Sequence, residues 1–298
     1  MHRSNSTRRR LAIFGLLGPF TLVFAAMIVL PIIVAIYQSM LSVRYEGPLG
    51  RGIRAEHFVG LSNYGRALAE PGFVSSIGRV LIFAIVAVPV MIILATVLAL
   101  MLDSASARWV PFFRSSYFLP YGVPGVIASL LWGFLYTPGL SPLISMGEKI
   151  GVVPDFLAAG SILWSIANIV IWEFAGYNML VVVAQLKAID ADLFEAASVD
   201  GASAWQTILR IKIPLIRPAI ILTTVFTIIG TLQLFGEPLI LKPLTGSITS
   251  TFTPNLTAYN EAFVNNNTNL AAAESVLLAL VACVFSFGFL KIANRSEQ

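Results

Sequence analysis

The 298-residue chain is poor in charge: Asp, Glu, Lys and Arg make up 11% of it, against 57% hydrophobic residues and a mean hydropathy of +0.84. Soluble globular proteins carry about 25% charged residues. Too few are present here to cover a water-facing surface, so the expected class is a polytopic membrane protein. Cysteine is nearly absent. The single Cys283 lies in an apolar run and excludes an internal disulfide. The two histidines, His2 and His57, have no companions at metal-ligand spacing, which argues against a histidine metal centre. The chain contains no G-x-x-x-x-G-K-[ST] loop, so it is not expected to hydrolyse ATP itself, and it has no H-E-x-x-H or G-x-S-x-G. No cofactor and no catalytic residue are expected. The net charge of +4 is dispersed, without arginine–aromatic patches, and no nucleic-acid partner is expected.

What the chain has is long apolar runs. A helix needs about 20 apolar residues to cross a hydrocarbon core of roughly 30 Å. Six runs qualify: 11–38, 77–102, 112–136, 161–185, 218–241 and 271–291. The expected fold is therefore all-α with six transmembrane helices, a tail over 1–10, a membrane domain over 11–291 and a tail over 292–298. The first run follows Arg8-Arg9-Arg10 and is too long for a signal-peptide core, so it reads as a retained span. With both termini in the cytoplasm, twelve of the 19 Lys and Arg residues fall on the inner side and seven on the outer. This orientation makes 186–217 cytoplasmic. The outer segments 41–76 and 242–270 are polar and rich in Gly, Asn and Thr, a composition that suits either ligand-facing loops or solvated connectors. Pro31, Pro89, Pro120 and Pro124 fall inside spans, where each removes a helical hydrogen bond and tends to kink the helix.

The interval 195–218, EAASVDGASAWQTILRIKIPLIRP, is patterned as a small folded object. Asp192 and Glu195 have the spacing of an N-terminal capping pair, Gly201 can end a helix in the left-handed conformation, and Ser203 with Gln206 forms a second S-x-x-Q box. Leu193, Phe194 and Ala197 give one apolar face; Trp205, Ile208 and Leu209 give another. Pro214 and Pro218 are expected to stop the second helix. Two such short helices are marginal alone in water, so they must dock on something.

At this point the residues resemble a family. Glu195-Ala196-Ala197, Asp200-Gly201-Ala202 and Ile211-x-Ile213-Pro214 look like the EAA motif of permease subunits of ATP-binding-cassette importers, with Ile213 where leucine is usual. Phe58-Val59-Gly60-Leu61-Ser62-Asn63-Tyr64, Phe118-Leu119-Pro120 and Trp172-x-x-x-Gly176-Tyr177-Asn178-Met179 are similar to segments of the carbohydrate-importer class. The resemblance implies a multi-pass subunit of the bacterial cytoplasmic membrane that forms half of a sugar pathway. It implies three protein partners besides membrane lipid: a cytoplasmic ATPase dimer, a second EAA-bearing permease, and an extracytoplasmic solute-binding protein or lipoprotein. It makes Glu195, Ala196, Ala197, Asp200 and Gly201 the ATPase-coupling contacts.

Sugars are held by aromatic faces and polar side chains. In the fourth run Asn168, Trp172 and Gly176 recur at helical spacing beside Glu173 and Tyr177; in the fifth, Gln233 and Glu237 are four apart and are expected to share a helix face. Trp172, Glu173, Tyr177, Gln233 and Glu237 are thus the candidate pathway residues, and packing between helices is the competing role for each. The rival function is an ion-coupled secondary carrier, which would want ionisable groups at mid-membrane; Glu173 is read as the one clear case.

Overall fold

The computed structural model of the chain describes residues 3–46, 53–104, 106–151 and 153–295. Part of the segment expected as the first outer loop, including Arg51, and the ends of both expected tails lie outside the described residues. In chain order the helices are α1 (Arg3–Phe24) and α2 (Leu30–Ser39), then strands β1 (Leu41–Glu46) and β2 (Ile53–Phe58), then α3 (Ser62–Ala69) and α4 (Pro71–Leu102). Next come α5 (Val110–Phe118), α6 (Gly125–Tyr136), α7 (Pro142–Lys149) and α8 (Ile162–Lys187). The chain continues through α9 (Ala191–Val199), α10 (Ala204–Thr207), α11 (Ile213–Leu232), α12 (Gly236–Leu241), α13 (Pro254–Tyr259) and α14 (Thr268–Arg295).

Among the described residues, five helical stretches are long and apolar enough to cross a membrane: Ile13–Ser39, Pro71–Leu102, Ile162–Lys187, Ala204–Leu244 and Thr268–Ala293. A sixth exists only if α5 and α6 count as one span, because they meet at 96°. The third apolar run is therefore not the single helix expected over 112–136. Its tight 3-10 turn Leu119–Gly122 is followed by extended Val123, and Pro124 then caps α6. Proline forces the residue before it out of the helical region, which is why the break falls at Val123.

The chain divides into two compact units, Met1–Pro71 with Ala258–Leu277, and Gly72–Thr257 with Leu278–Gln298. In the first, the end of α1 and α2 form one apolar rod, Ile13–Ser39, through a π turn, Ala25–Val29. Pro31 enters without ending the rod because the wider turn, closed by Leu30 N–H to the Ala25 carbonyl, absorbs the proline. Beyond the rod, β1 and β2 pair antiparallel from Leu41↔Phe58 to Glu46↔Ile53. This hairpin corrects the all-α expectation. Its strands alternate apolar and polar residues, Leu41-Ser42-Val43-Arg44-Tyr45-Glu46 and Ile53-Arg54-Ala55-Glu56, which is the period of a strand. The Gly60–Tyr64 stretch has a structural task. Gly60 turns the chain at φ 57°, buried Asn63 donates through Nδ2 to the carbonyls of Ser39 (2.8 Å) and Leu41 (2.7 Å), and the Tyr64 hydroxyl lies 2.5 Å from Ser39 Oγ. The first of these bonds satisfies a carbonyl left open at the end of α2, and the others tie α3 to α2 and to the start of β1.

In the second unit α8 is central. Its buried side chains belong to two apolar clusters, one with residues of α4, α6, α12 and the segment after it, the other with residues of α4 and α11. Gly176 lets α5 cross α8 at backbone contact: a Cβ there would sit 1.9 Å from the Tyr117 carbonyl oxygen. Backbone on both sides cannot yield as a side chain would. Gly176→Ala is therefore expected to cost at least the 1–3 kcal/mol typical of overpacking, roughly, and to lower the unfolding temperature of the detergent-solubilised protein. Gly288→Ala, where a methyl meets nothing within 4 Å, is the control and should leave that temperature unchanged or raised.

Candidate functional site

Two breaks in otherwise helical segments meet at a cavity of about 410 Å³ in the second unit. One is the turn between α5 and α6, which carries Tyr121. The other separates α11 from α12: Gln233 caps α11, Leu234 is buried, and Phe235 is non-helical at φ −147° and ψ −52° before α12 begins. Gln233 and Glu237 consequently do not share one helix face as expected, because the helix ends between them. Both still line the cavity. In a membrane such non-helical backbone is tolerated where protein or a water-filled cavity satisfies it, and here the Gln233 carbonyl accepts from Asn255 Nδ2 at 2.8 Å.

The cavity wall combines stacked rings with polar side chains. Tyr121 stacks on Tyr177 with ring centroids 4.8 Å apart and 20° between planes, and meets Phe174 edge-on at 5.7 Å. The close crossing at Gly176 brings these rings together. Asn178 donates to Thr227 Oγ1 at 3.2 Å, linking α8 to α11, and also contacts Met91 Sδ on α4. Thr231, Gln233 and Glu237 complete the polar side, and no Lys, Arg or His is among the lining residues.

The five candidate pathway residues separate in space. Tyr177, Gln233 and Glu237 line the cavity. Glu173 is 7% exposed, lies next to Gly125 at the start of α6, and leaves Oε2 without a partner. Trp172 packs edge-on against Trp132 at 5.7 Å, in an aromatic cluster continuing through Tyr136 to Phe156. Asn168, on the Trp172 stripe, donates to the Tyr136 hydroxyl at 2.9 Å. Glu173 is not the one carboxylate within a span. Glu274, 1% exposed in α14, leaves Oε2 unpartnered too. The same signal, a lone acid in an apolar run, marks both residues in the sequence.

The second candidate region is the stretch from α9 to α10. Its N-cap is Asp190, whose carboxylate accepts from Asp192 N–H at 3.2 Å, and not Asp192 as the spacing to Glu195 suggested. Two aspartates two positions apart compete here, and the one with extended backbone wins, since a cap residue is non-helical. Gly201 is left-handed at φ 79°, and Ala202 N–H returns to the Ala197 carbonyl at 2.9 Å, closing a Schellman end. Ser203 and Gln206 form the complete reciprocal box. The prolines do not stop the second helix. It runs through a π turn, Ile208–Lys212, into α11, with Pro214 in the first turn of α11 and Pro218 inside it. The π turn precedes Pro214 as another precedes Pro31. Of the candidate coupling residues, Glu195, Ala196, Asp200 and Gly201 are exposed, whereas Ala197 is buried. Val199 (87%) and Trp205 (66%) are exposed as well.

At the base of this stretch lies a cluster that sequence reasoning missed. The Asp103 carboxylate, just past α4, accepts from Lys187 Nζ at 2.8 Å and from Lys212 Nζ at 2.7 Å. Lys212 also sits over the Phe194 ring of α9, 5.1 Å from its centroid. Burial pushes the Asp103 pKa up, but the bonds and charges of both lysines outweigh it and hold the carboxyl below its usual value. In sequence these lysines registered only as topological charge, and nothing local marks Asp103.

The helices and the cavity define a polytopic membrane protein with an internal polar–aromatic chamber. Residues 64–297 match the family described as "Binding-protein-dependent transport system inner membrane component", and the chain belongs to that family. It is 34% identical to a lactose transport system permease protein of Rhizobium radiobacter, over 80% of this chain and 81% of that one. It is 31% identical to a probable ABC transporter permease protein of Pyrococcus horikoshii (83% and 85%) and 28% identical to a trehalose transport system permease protein of Mycobacterium tuberculosis (97% and 90%). Its fold resembles a chain of a bacterial ABC transporter involved in the import of the acidic polysaccharide alginate, with TM-score 0.81, 22% identity and 99% of each chain covered.

Two predictions follow from this geometry. In a Cys283→Ser background, Gln233→Cys and Tyr177→Cys should react with a small water-soluble maleimide, and Trp172→Cys should not; mass spectrometry of the labelled protein reads the difference. The second concerns acid. A depressed carboxyl stabilises the fold fully above its unfolded pKa of about 3.9 and loses that contribution as pH falls through the lower folded value. Unfolding midpoints of wild type and Asp103→Asn should therefore differ above about pH 4 and converge below it.

Proposed function

We propose that the chain is one membrane half of an ATP-driven carbohydrate importer, and that α9 and α10 form the helix-turn-helix through which a separate ATPase dimer drives it. The observation that carries this reading is the outward face of the pair. Glu195, Ala196, Asp200 and Gly201 are exposed together with Val199 and Trp205 on a short capped element, at the positions of the EAA motif. Short side chains and a left-handed glycine suit close approach by another protein, and Glu195 offers a charged anchor. Apolar side chains left in water on so short an element call for a cover. The ATPase dimer supplies it in this reading, and its closure would move the pair as a rigid body. In the same reading the bent pair α5–α6 is the third of six spans and both termini are cytoplasmic. A second EAA-bearing permease completes the pathway, and an extracytoplasmic binding protein delivers the solute.

The carbohydrate assignment draws on the relatives named for lactose and trehalose transport and on the chemistry of the cavity. Two stacked tyrosines offer a flat apolar face for a pyranose ring, and the Asn178, Thr231 and Gln233 side chains match hydroxyl groups. Tyr177, Gln233 and Glu237 touch the solute in this reading, with Glu173 behind them and Trp172 bracing the wall.

The test is co-purification with the partner ATPase, combined with uptake by the assembled complex in liposomes. Glu195→Lys and Gly201→Val should reduce ATPase association by on the order of tenfold or more, the loss expected on reversing a charge at an interface. Uptake should require ATP. Unchanged association and uptake in both variants would contradict the docking role, and uptake by the chain alone on an ion gradient would favour a secondary carrier.

A further inference from the structure

We propose that Asp103 is a positioning residue for energy coupling: it pins the end of α4 to the base of the α9–α10 pair, so that the second span moves with the fourth and fifth. The proposal rests on the reading of that pair as the ATPase docking element.

Four segments converge on one carboxylate. Asp103 directly follows α4, Lys187 is the last residue of α8, Lys212 is the last residue of the π turn entering α11, and Phe194 of α9 lies under the Lys212 ammonium. The position is a costly one for an acid. A negative charge just past a helix C-terminus opposes the dipole of α4, and the Asp103 side chain is only 8% exposed. Its two lysine partners compensate for both penalties. The dependence is mutual, because Lys212 is 15% exposed and would face Lys187 as a second cation if the carboxylate were removed.

The apolar packing beside this cluster cannot do the same job. Ala99 and Leu102 of α4, Val183 and Leu186 of α8 and Ile216 of α11 form one buried cluster. The driving force of apolar burial is non-directional, and this cluster makes no tie to Lys212 at the π turn. Charge-assisted hydrogen bonds at 2.7 and 2.8 Å are directional and fix the register.

The π turn supplies the reason a register pin is needed. Ile208–Lys212 is the joint between α10 and α11, with Ile213 N–H reaching back to the Ile208 carbonyl and Pro214 following. Wide turns next to a proline are where helices bend. A push on α9 and α10 would be absorbed at this joint unless its far end is held. Lys212 sits at that far end, tied to α4 and α8 through Asp103 and to α9 through Phe194, so displacement of the pair is carried across the joint to three spans.

The experiment uses the whole transporter, this chain with its ATPase, second permease and binding protein, reconstituted in liposomes. Wild type, Asp103→Asn, Asp103→Glu and Lys212→Gln are compared for complex yield, ATP hydrolysis and solute taken up per ATP. Asp103→Asn and Lys212→Gln are expected to assemble and hydrolyse ATP, with uptake per ATP reduced on the order of tenfold, within the usual range of coupling between sites. Asp103→Glu should restore most of it. Wild-type uptake per ATP in Asp103→Asn overturns the proposal. So does loss of assembly in both Asp103→Asn and Lys212→Gln, which would make the cluster a folding element only. If Asp103→Asn alone fails to assemble, Lys212→Gln decides by the same ratio. Failure of the docking reading shows up separately, as unaltered ATPase association in the Glu195 and Gly201 variants.

Discussion

In hydrocarbon every backbone N–H and C=O must find its partner within the protein, and the rest of this structure depends on that constraint. It makes continuous helix the default and makes every interruption expensive. The interruptions that survive are therefore concentrated where something else satisfies the chain. At Gln233–Phe235 and at Gly122–Pro124 the helix stops, and both stops border the same cavity. Tyr121, Gln233 and Glu237, which line the cavity, sit at or just beyond those stops, where they can converge from different segments. A straight helix could not present Gln233 and Glu237 with Tyr121 in this way.

The same constraint explains the treatment of proline. Pro31 and Pro214 each follow a five-residue π turn and leave the helix running, whereas Pro124 follows an extended residue and bends the chain sharply. Pro89 and Pro218 lie inside continuous helix, so a proline in these apolar runs is carried within the helix, follows a widened turn or follows a break. The π turn before Pro214 also gives the α9–α10 pair a joint to α11, and the Asp103 cluster bridges that joint.

The apolar runs, their approximate limits and the capped object at 190–207 could be read in the sequence, because length, composition and S-x-x-Q spacing are local signals. The 96° bend, the break after Gln233 and the uninterrupted passage through Pro214 could not, since each depends on how a neighbouring turn is satisfied. The hairpin at Leu41–Phe58 was legible as alternation but was masked by the dominance of helix elsewhere. Of the candidate pathway residues, Tyr177, Gln233 and Glu237 meet at the cavity while Trp172 joins an aromatic cluster away from its lining. Aromatic residues four or five apart on a long helix give no hint of which face will be open. Asp103 was invisible for a related reason: its partners are 84 and 109 positions away.

The central claim is that the outward face of α9 is covered by another protein. The most direct measurement is site-specific cross-linking from Val199, 87% exposed in the isolated chain, using Val199→Cys in a Cys283→Ser background. The account predicts that a short bifunctional thiol–amine reagent joins this position to the ATPase in the assembled complex, and that the thiol becomes shielded from a bulky water-soluble maleimide. A thiol that stays fully reactive in the complex and yields no cross-link would contradict it.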